Sequence, residues 1–398
     1  MTAIILGGGL NGLWIARSLG RKSIPVHLID QREDDIAYHS RYVNAVKLSN
    51  KHDIDEIYEK IKVIAAAAPS VPTLFCTGDH WIMQAADLQK RLKGKVHSVI
   101  PSKKSVINVV NKKAFQYFVS QGDFATPQTW TPALTGTLDF SEFENATFPL
   151  IIKPYYSLDW QRPAFIKQYG YCKAIRADCP EQLQEYWSAL SKLGSPLLVQ
   201  EYLVGGDDEH YSFVSYRNRD NQELLSATIK KQRVLPIHHG AATFAEINDD
   251  PEQLIASKAR KILNALDYPG VSSVCFKRDG KTGESKIYEI NGRFPLGHSA
   301  LQMGGIDLPW LMYQDSNGVS FERPSITRPK GKWAALSDDI DAFRDYYKVG
   351  ELGLLQWLAS YAQIKMIAEW AADDLRPFGY FLRQAFARLL KKSKCRPD

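Results

Sequence analysis

The sequence predicts a mixed α/β and α+β chain in three units. These are a Rossmann-like unit over 1–108, an α+β unit over 109–320 and a helical extension with a basic tail over 321–398. Three observations predict it. The chain opens with a strand, a glycine turn, a helix and a second strand. Short strands with polar turns follow from Pro149, and the pattern turns helical and aromatic after about residue 320. At 398 residues the length suits two or three domains of about 150 residues each.

In the first unit, residues 3–6 are apolar and Gly7-Gly8-Gly9-Leu10-Asn11-Gly12 breaks the run. Residues 13–19 then read as helix and 26–29 as a strand ending at Asp30. A strand at 73–76 and a helix over 83–92 continue the alternation. A helix over 112–120 leads to Thr126-Pro127, whose proline marks a linker. In the second unit, 150–152, 197–200, 212–215, 271–276 and 286–290 read as strands, and 181–193 and 253–266 as helices. Gly280-Lys281-Thr282-Gly283 suggests a hairpin.

Composition narrows the function classes. With 44% hydrophobic and 24% charged residues, the chain is an ordinary globular one. No apolar run reaches the roughly 18 residues that span a bilayer, and the N-terminus lacks a secretory pattern, so a cytoplasmic protein is expected. Cys76, Cys172, Cys179, Cys275 and Cys395 are scattered, which argues against a disulfide framework or a zinc knuckle. The net charge of +6 comes entirely from residues 376–398, where seven basic residues stand against Asp398. No domain-wide basic field remains, so no nucleic-acid partner is expected.

Four motifs carry chemistry. Gly7, Gly9 and Gly12 with Asp30 match a dinucleotide fingerprint, implying FAD or NAD, although a tight strand-to-helix turn needs glycine in any case. Lys153 ends an apolar strand and Lys173 follows a polar loop over 155–169. Two ammonium groups so placed can hold triphosphate oxygens, or can simply be surface lysines. Gln200-Glu201-Tyr202-Leu203 runs into a connector with glycines and acids, fit for an adenine edge and ribose hydroxyls or for a plain polar turn. In Glu289-Ile290-Asn291-Gly292-Arg293, the strand period of two puts Glu289, Asn291 and Arg293 on one face. Carboxylate and amide oxygens suit Mg²⁺, and an arginine suits a carboxylate or acyl-phosphate. The bland alternative is a solvent-facing polar strand.

Taken in order, these pieces resemble the ATP-grasp carboxylate–amine ligases, a group that includes D-aspartate ligase-like proteins. The resemblance runs from the first strand to about Tyr313 and includes Asn111-Lys112-Lys113 and Thr126-Pro127-Gln128-Thr129. It implies a Rossmann-like pre-ATP-grasp domain followed by a two-lobed ATP-grasp domain. It implies ATP and Mg²⁺ as cofactors, with small-molecule carboxylate and amine substrates joined through an acyl-phosphate. By the same resemblance, Lys153 and Lys173 hold phosphates, Gln200 to Leu203 hold adenine and Asp208 holds ribose. Glu289 and Asn291 hold magnesium, Lys231 and Arg233 face phosphate or substrate carboxylate, and Arg293 faces the transition state.

One position departs from that pattern. Cys275 stands where the family places its other metal-binding acid, and Asp279 could substitute only if the strand bends. A non-catalytic ATP-binding relative is therefore one alternative, and an FAD- or NAD-dependent oxidoreductase another. Phe378, Phe381, Leu382, Ala385, Phe386, Leu389 and Leu390 fall at helical spacing with basic residues interleaved. That helix suits docking on its own domain, on a second subunit as a homodimer, or on an anionic inner-membrane surface.

Overall fold

The computed structural model describes residues 1–32, 34–248, 254–327 and 331–393, with backbone alone at 248 and 388–393. Strands β1 (Ala3–Leu6), β2 (Val26–Asp30), β3 (Val43–Lys47) and β4 (Thr73–Cys76) form a parallel sheet in the order β3-β2-β1-β4. All four residues of β1 and of β4 are buried, as strands covered on both faces must be. Gly7 ends β1 at φ +92°, and a Cβ there would meet the Trp81 indole nitrogen at 2.2 Å, so both conformation and space demand glycine.

A small antiparallel sheet follows, from β5 (Thr129–Trp130), β6 (Leu150–Pro154), β7 (Ile175–Ala177) and β8 (Leu197–Glu201), in the order β5-β8-β6-β7. The helix Pro180–Ser191 buries Leu183, Trp187 and Leu190 against it. The 155–169 segment, expected as an open loop, instead holds a 3₁₀ turn, Ser157–Gln161, and a helix, Pro163–Tyr169. Buried Trp160 stacks on Phe165 with ring centroids 4.6 Å apart, which anchors both.

The large sheet is built from β9 (His210–Arg217), β10 (Glu223–Leu235), β11 (Ala241–Asn248), β12 (Gly270–Arg278) and β13 (Ser285–Asn291), with β14 (Lys332–Ala334) and β15 (Ile364–Ile367). Its order is β13-β12-β9-β10-β11-β14-β15. The extension after residue 320 is thus not wholly helical, as expected from sequence: β14 pairs antiparallel with β11 and parallel with β15, continuing the sheet. The helix Arg376–Ser393 lies on the first unit, with Tyr380 stacked on His39 at 4.1 Å and Gln384 hydrogen-bonded to Asp34 at 3.1 Å. Leu382 and Phe386 are exposed. The side chains of Leu389 and Leu390, and residues 394–398 of the basic tail, lie outside the described residues. No helix among the described residues is long and apolar enough to cross a membrane.

Candidate active site

Lys153, Lys173, Gln200 to Leu203 and Glu289 line one cleft of about 610 Å³ between the small and large sheets. The register Lys153↔Leu198 on β6–β8 sets the Lys153 side chain beside the end of β8. There Lys153 Nζ donates to Gln200 Oε1 at 2.7 Å, while Gln200 Nε2 donates to Thr129 Oγ1 at 2.9 Å. The Glu201 carboxylate is turned to Lys286 at 2.8 Å, leaving a connector whose next two residues, Tyr202 and buried Leu203, wall the cleft.

Charge in this cleft is concentrated and mostly positive. Burial pushes the Lys153 ammonium down to about 8; Lys112 and Lys173 add to that, and Glu289 opposes it. Burial alone would raise the Glu289 carboxyl. Lys173, Lys112, Lys153 and Arg293 outweigh it and hold Glu289 below the ordinary carboxylate range. A surplus of desolvated cations around one carboxylate is a site prepared for a polyanion.

A second cavity of about 1070 Å³ opens from the first, and the two share Ser157, Lys173 and Glu289. Its wall includes Ser212, Lys231, Cys275, Asn291 and Arg293, and from the first unit Asn11, Thr77 and Asp79. Glu289 and Asn291 share a face of β13, and Arg293 lies just past the strand's end and reaches the same cavity. Arg293 is held by three acceptors: Asp79 Oδ1 (3.2 Å), Asn291 Oδ1 (2.8 Å) and the Phe294 carbonyl (3.3 Å). Lys231 Nζ donates to the Tyr288 hydroxyl at 3.1 Å.

The donor set can be tested against magnesium. Glu289 offers a hard anionic oxygen. The Asn291 oxygen already accepts from Arg293, and its amide nitrogen lies 3.5 Å from Cys275 Sγ. Among the described residues no three His, Cys, Asp or Glu side chains gather in metal-binding fashion. One carboxylate fits a magnesium ion whose other ligands are phosphate oxygens and water, not a cage made by protein alone.

Two of the candidate residues lie outside both cavities. Arg233 lines neither cavity: its guanidinium is buried against Asp339 at 2.8 and 2.7 Å and lies over Phe244. A regular strand would set Arg233 on the face of Lys231, but the β10–β11 register shifts between them, and this bulge turns Arg233 toward the C-terminal region. Asp208 is exposed and lines neither cavity, whereas Asp207 is buried, accepting from the His238 backbone at 3.0 Å and from the Tyr346 hydroxyl. Asp279 accepts from Thr282 Oγ1 and Lys281 N within the β12–β13 turn and does not replace the missing acid.

The N-terminal glycine turn has its own anions. Gly8 N donates to Asp30 Oδ2 at 2.9 Å, and Gly9 N donates to Asp35 at 2.8 Å. The donors a dinucleotide pyrophosphate would use are therefore engaged by carboxylates, which removes the support for FAD or NAD there.

Sequence reasoning passed over other residues. Lys112, in the Asn111-Lys112-Lys113 motif, has no role assigned by the sequence, yet it lines the first cleft and donates to Ser157 Oγ at 2.8 Å. His210, His239, Lys277 and Tyr288 also line it, and burial drives both histidines well below the ordinary imidazole range. Single histidines in strands and turns carry no periodic signal that marks them beforehand.

Comparison with known proteins gives a consistent answer. No protein-family model matches the chain. Over 230 residues it is 22% identical to the D-aspartate ligase of Enterococcus faecium (strain Aus0004), covering 56% of this chain and 52% of that protein. The chain thus spans about half the length of the curated relative it matches. Among solved structures, N5-carboxyaminoimidazole synthetase from Staphylococcus aureus complexed with ADP aligns with a TM-score of 0.64 at 15% identity, over 88% of this chain and 86% of that one. L-amino acid ligase from Bacillus licheniformis aligns at 0.60 and 16%, over 83% and 78%. Biotin carboxylase from Campylobacter jejuni aligns at 0.62 and 15%, over 83% and 74%. The chain therefore shares its fold with these three structures, and over about half its length its sequence is similar to that of a D-aspartate ligase.

Proposed function

We propose that the protein is an ATP-dependent carboxylate–amine ligase. The observation that carries this reading is the junction of two cavities at Lys173 and Glu289, one lined by the half-buried Lys112 and Lys153 and the other by Arg293 and Lys231. A nucleoside triphosphate in the first would present its γ-phosphate where the second begins.

In this mechanism a carboxylate oxygen attacks the γ-phosphorus, and ADP leaves with the electrons of the broken P–O bond. An amine nitrogen then attacks the acyl carbon, phosphate leaves, and the nitrogen loses a proton. The first step brings anion against polyanion. Lys153, Lys173 and Lys112 offset that repulsion from fixed positions, and their low-dielectric setting makes each charge more effective than in water. Arg293, locked by three acceptors, offers a preorganised guanidinium to the transferring phosphoryl group. Magnesium, held by Glu289 and the nucleotide, would supply further charge neutralisation. Ser157 and Gln161, on the turn anchored by Trp160, wall the second cavity and limit water access to the acyl-phosphate.

A screen of carboxylic acids and amines, D-aspartate included, for ADP release with mass detection of the product tests this directly. An acid-and-amine-dependent amide product is expected. ATP binding with no ADP release under any pair would favour a non-catalytic nucleotide-binding relative.

A further inference from the structure

The second cavity holds two acids, and their settings differ. Glu289 is ringed by Lys173, Lys112, Lys153 and Arg293. Asp79 lines the same cavity beside Arg293, contributed by the helix Asp79–Leu92 of the first unit, with its side chain 21% exposed. Among the described residues its hydrogen bond comes from Arg293 Nε alone, to Oδ1. That arginine is shared between Asp79, Asn291 and the Phe294 carbonyl, and Asp79 Oδ2 accepts no hydrogen bond among the described residues.

A carboxylate in a cavity meant only for anions would work against binding. With Lys173, Lys231 and Arg293 on its walls, this cavity already suits phosphate and substrate carboxylate. Asp79 adds a negative point to that lining, beside Arg293. Ser212, Ala242, Ser273 and Gly297 also line the cavity, and residues this small leave room in it. A group bound there would be cationic and would lie next to the arginine that meets the transferring phosphoryl group.

From this placement, and resting on the ligase reading above, we infer that Asp79 binds the ammonium of the amine co-substrate beside the acyl-phosphate. The co-substrate class is a primary amine that is protonated in solution. The Asp79 carboxylate accepts a hydrogen bond from R–NH₃⁺ and orients it. After the ammonium gives up one proton, the nitrogen lone pair forms the C–N bond as the acyl C–O bond to phosphate breaks. The nitrogen loses two protons in all, the first to the Asp79 carboxylate and the second, after the C–N bond forms, to the departing phosphate, so charge and atoms balance without any further reactant.

The test uses a nucleophile that needs no such partner. Hydroxylamine is largely uncharged near neutral pH and traps acyl-phosphates as hydroxamates. Full-length protein and its Asp79→Asn variant are compared with MgATP and a panel of acids including D-aspartate. Each is given either hydroxylamine or a cationic amine such as L-lysine or 1,5-diaminopentane. Asparagine keeps an oxygen acceptor for Arg293 and removes the charge. The amide-to-hydroxamate ratio should fall about 10- to 100-fold, the size expected for losing a charge-assisted hydrogen bond, and Asp79→Glu should restore part of it. If both products fall together and the ratio holds, Asp79 only positions Arg293 and the inference is overturned. If the unaltered protein yields no hydroxamate from any acid, the ligase reading itself fails and takes this inference with it.

Discussion

Cys275 pairs directly with Glu289 across strands β12 and β13. Both side chains line the second cavity, with the Ser212 hydroxyl 3.7 Å from the thiol. A carboxylate at position 275 would set two anions face to face and require a cation between them. With a thiol there, Glu289 is kept ionised by its ring of lysines and Arg293 instead.

Restoring that second acid is therefore informative. Cys275→Asp should lower the melting temperature of the metal-free protein by several degrees, since a buried like-charge pair costs about 1–3 kcal/mol. Mg²⁺ with ATP should restore it more than it raises the unaltered protein. Cys275→Ala should keep turnover within about threefold of the original, because a small buried strand cysteine is a packing residue. Abolished turnover would mark the thiol as a nucleophile.

Glu289→Gln keeps the shape of the side chain and removes its charge. Loss of about 3–4 kcal/mol of transition-state stabilisation, or roughly 100- to 1000-fold in acid-dependent ADP formation, is expected. Unchanged ADP formation would contradict the assignment of Glu289.

Lys153 sets a pH dependence. In the free protein its ammonium titrates at about 8, because burial and the neighbouring lysines favour the neutral form. A bound triphosphate favours the charged form and raises that value. Binding then takes up a proton above pH 8, and affinity for MgATP should fall as pH rises, by at most about tenfold per unit. Calorimetry in buffers of different ionisation heat should show this uptake at pH 9 and its loss in Lys153→Met.

Arg233 and Asp339 form a buried ion pair, and Thr243, Trp357 and Tyr361 also donate to Asp339. Arg233→Met should destabilise the fold by about 3–5 kcal/mol in denaturant melts, since it strands a buried carboxylate. Nucleotide affinity of the folded protein should change little.

The sequence made visible what local periodicity controls. The helix Lys112–Ser120 spans the expected residues, and 286–290 and 271–276 form strands joined by a hairpin at Gly280 to Gly283. The common face of Glu289 and Asn291 follows from strand pleating, while Arg293 lies just past the strand's end and reaches the same cavity. The role that the family resemblance implies for Arg233 is not met, because a bulge invisible in the sequence turns its side chain away from the cavities. The resemblance likewise points to Asp208, where a 3₁₀ turn decides that the adjacent Asp207 is the buried acid. Strands β10 and β11 escaped notice because Lys230, Lys231, Gln232 and Arg233 interrupt apolar alternation with polar side chains that the cavity and the C-terminal region accommodate. Asp79 could not be singled out, because only the packing of the first unit on the large sheet brings it to Arg293.

A crystal structure with ADP and Mg²⁺ bound examines the central claim most directly. The account predicts adenine beside residues Gln200 to Leu203, phosphates between Lys153 and Lys173, and the metal against Glu289. Nucleotide seated on the Gly7 to Gly12 turn, or phosphates remote from both lysines, would contradict it.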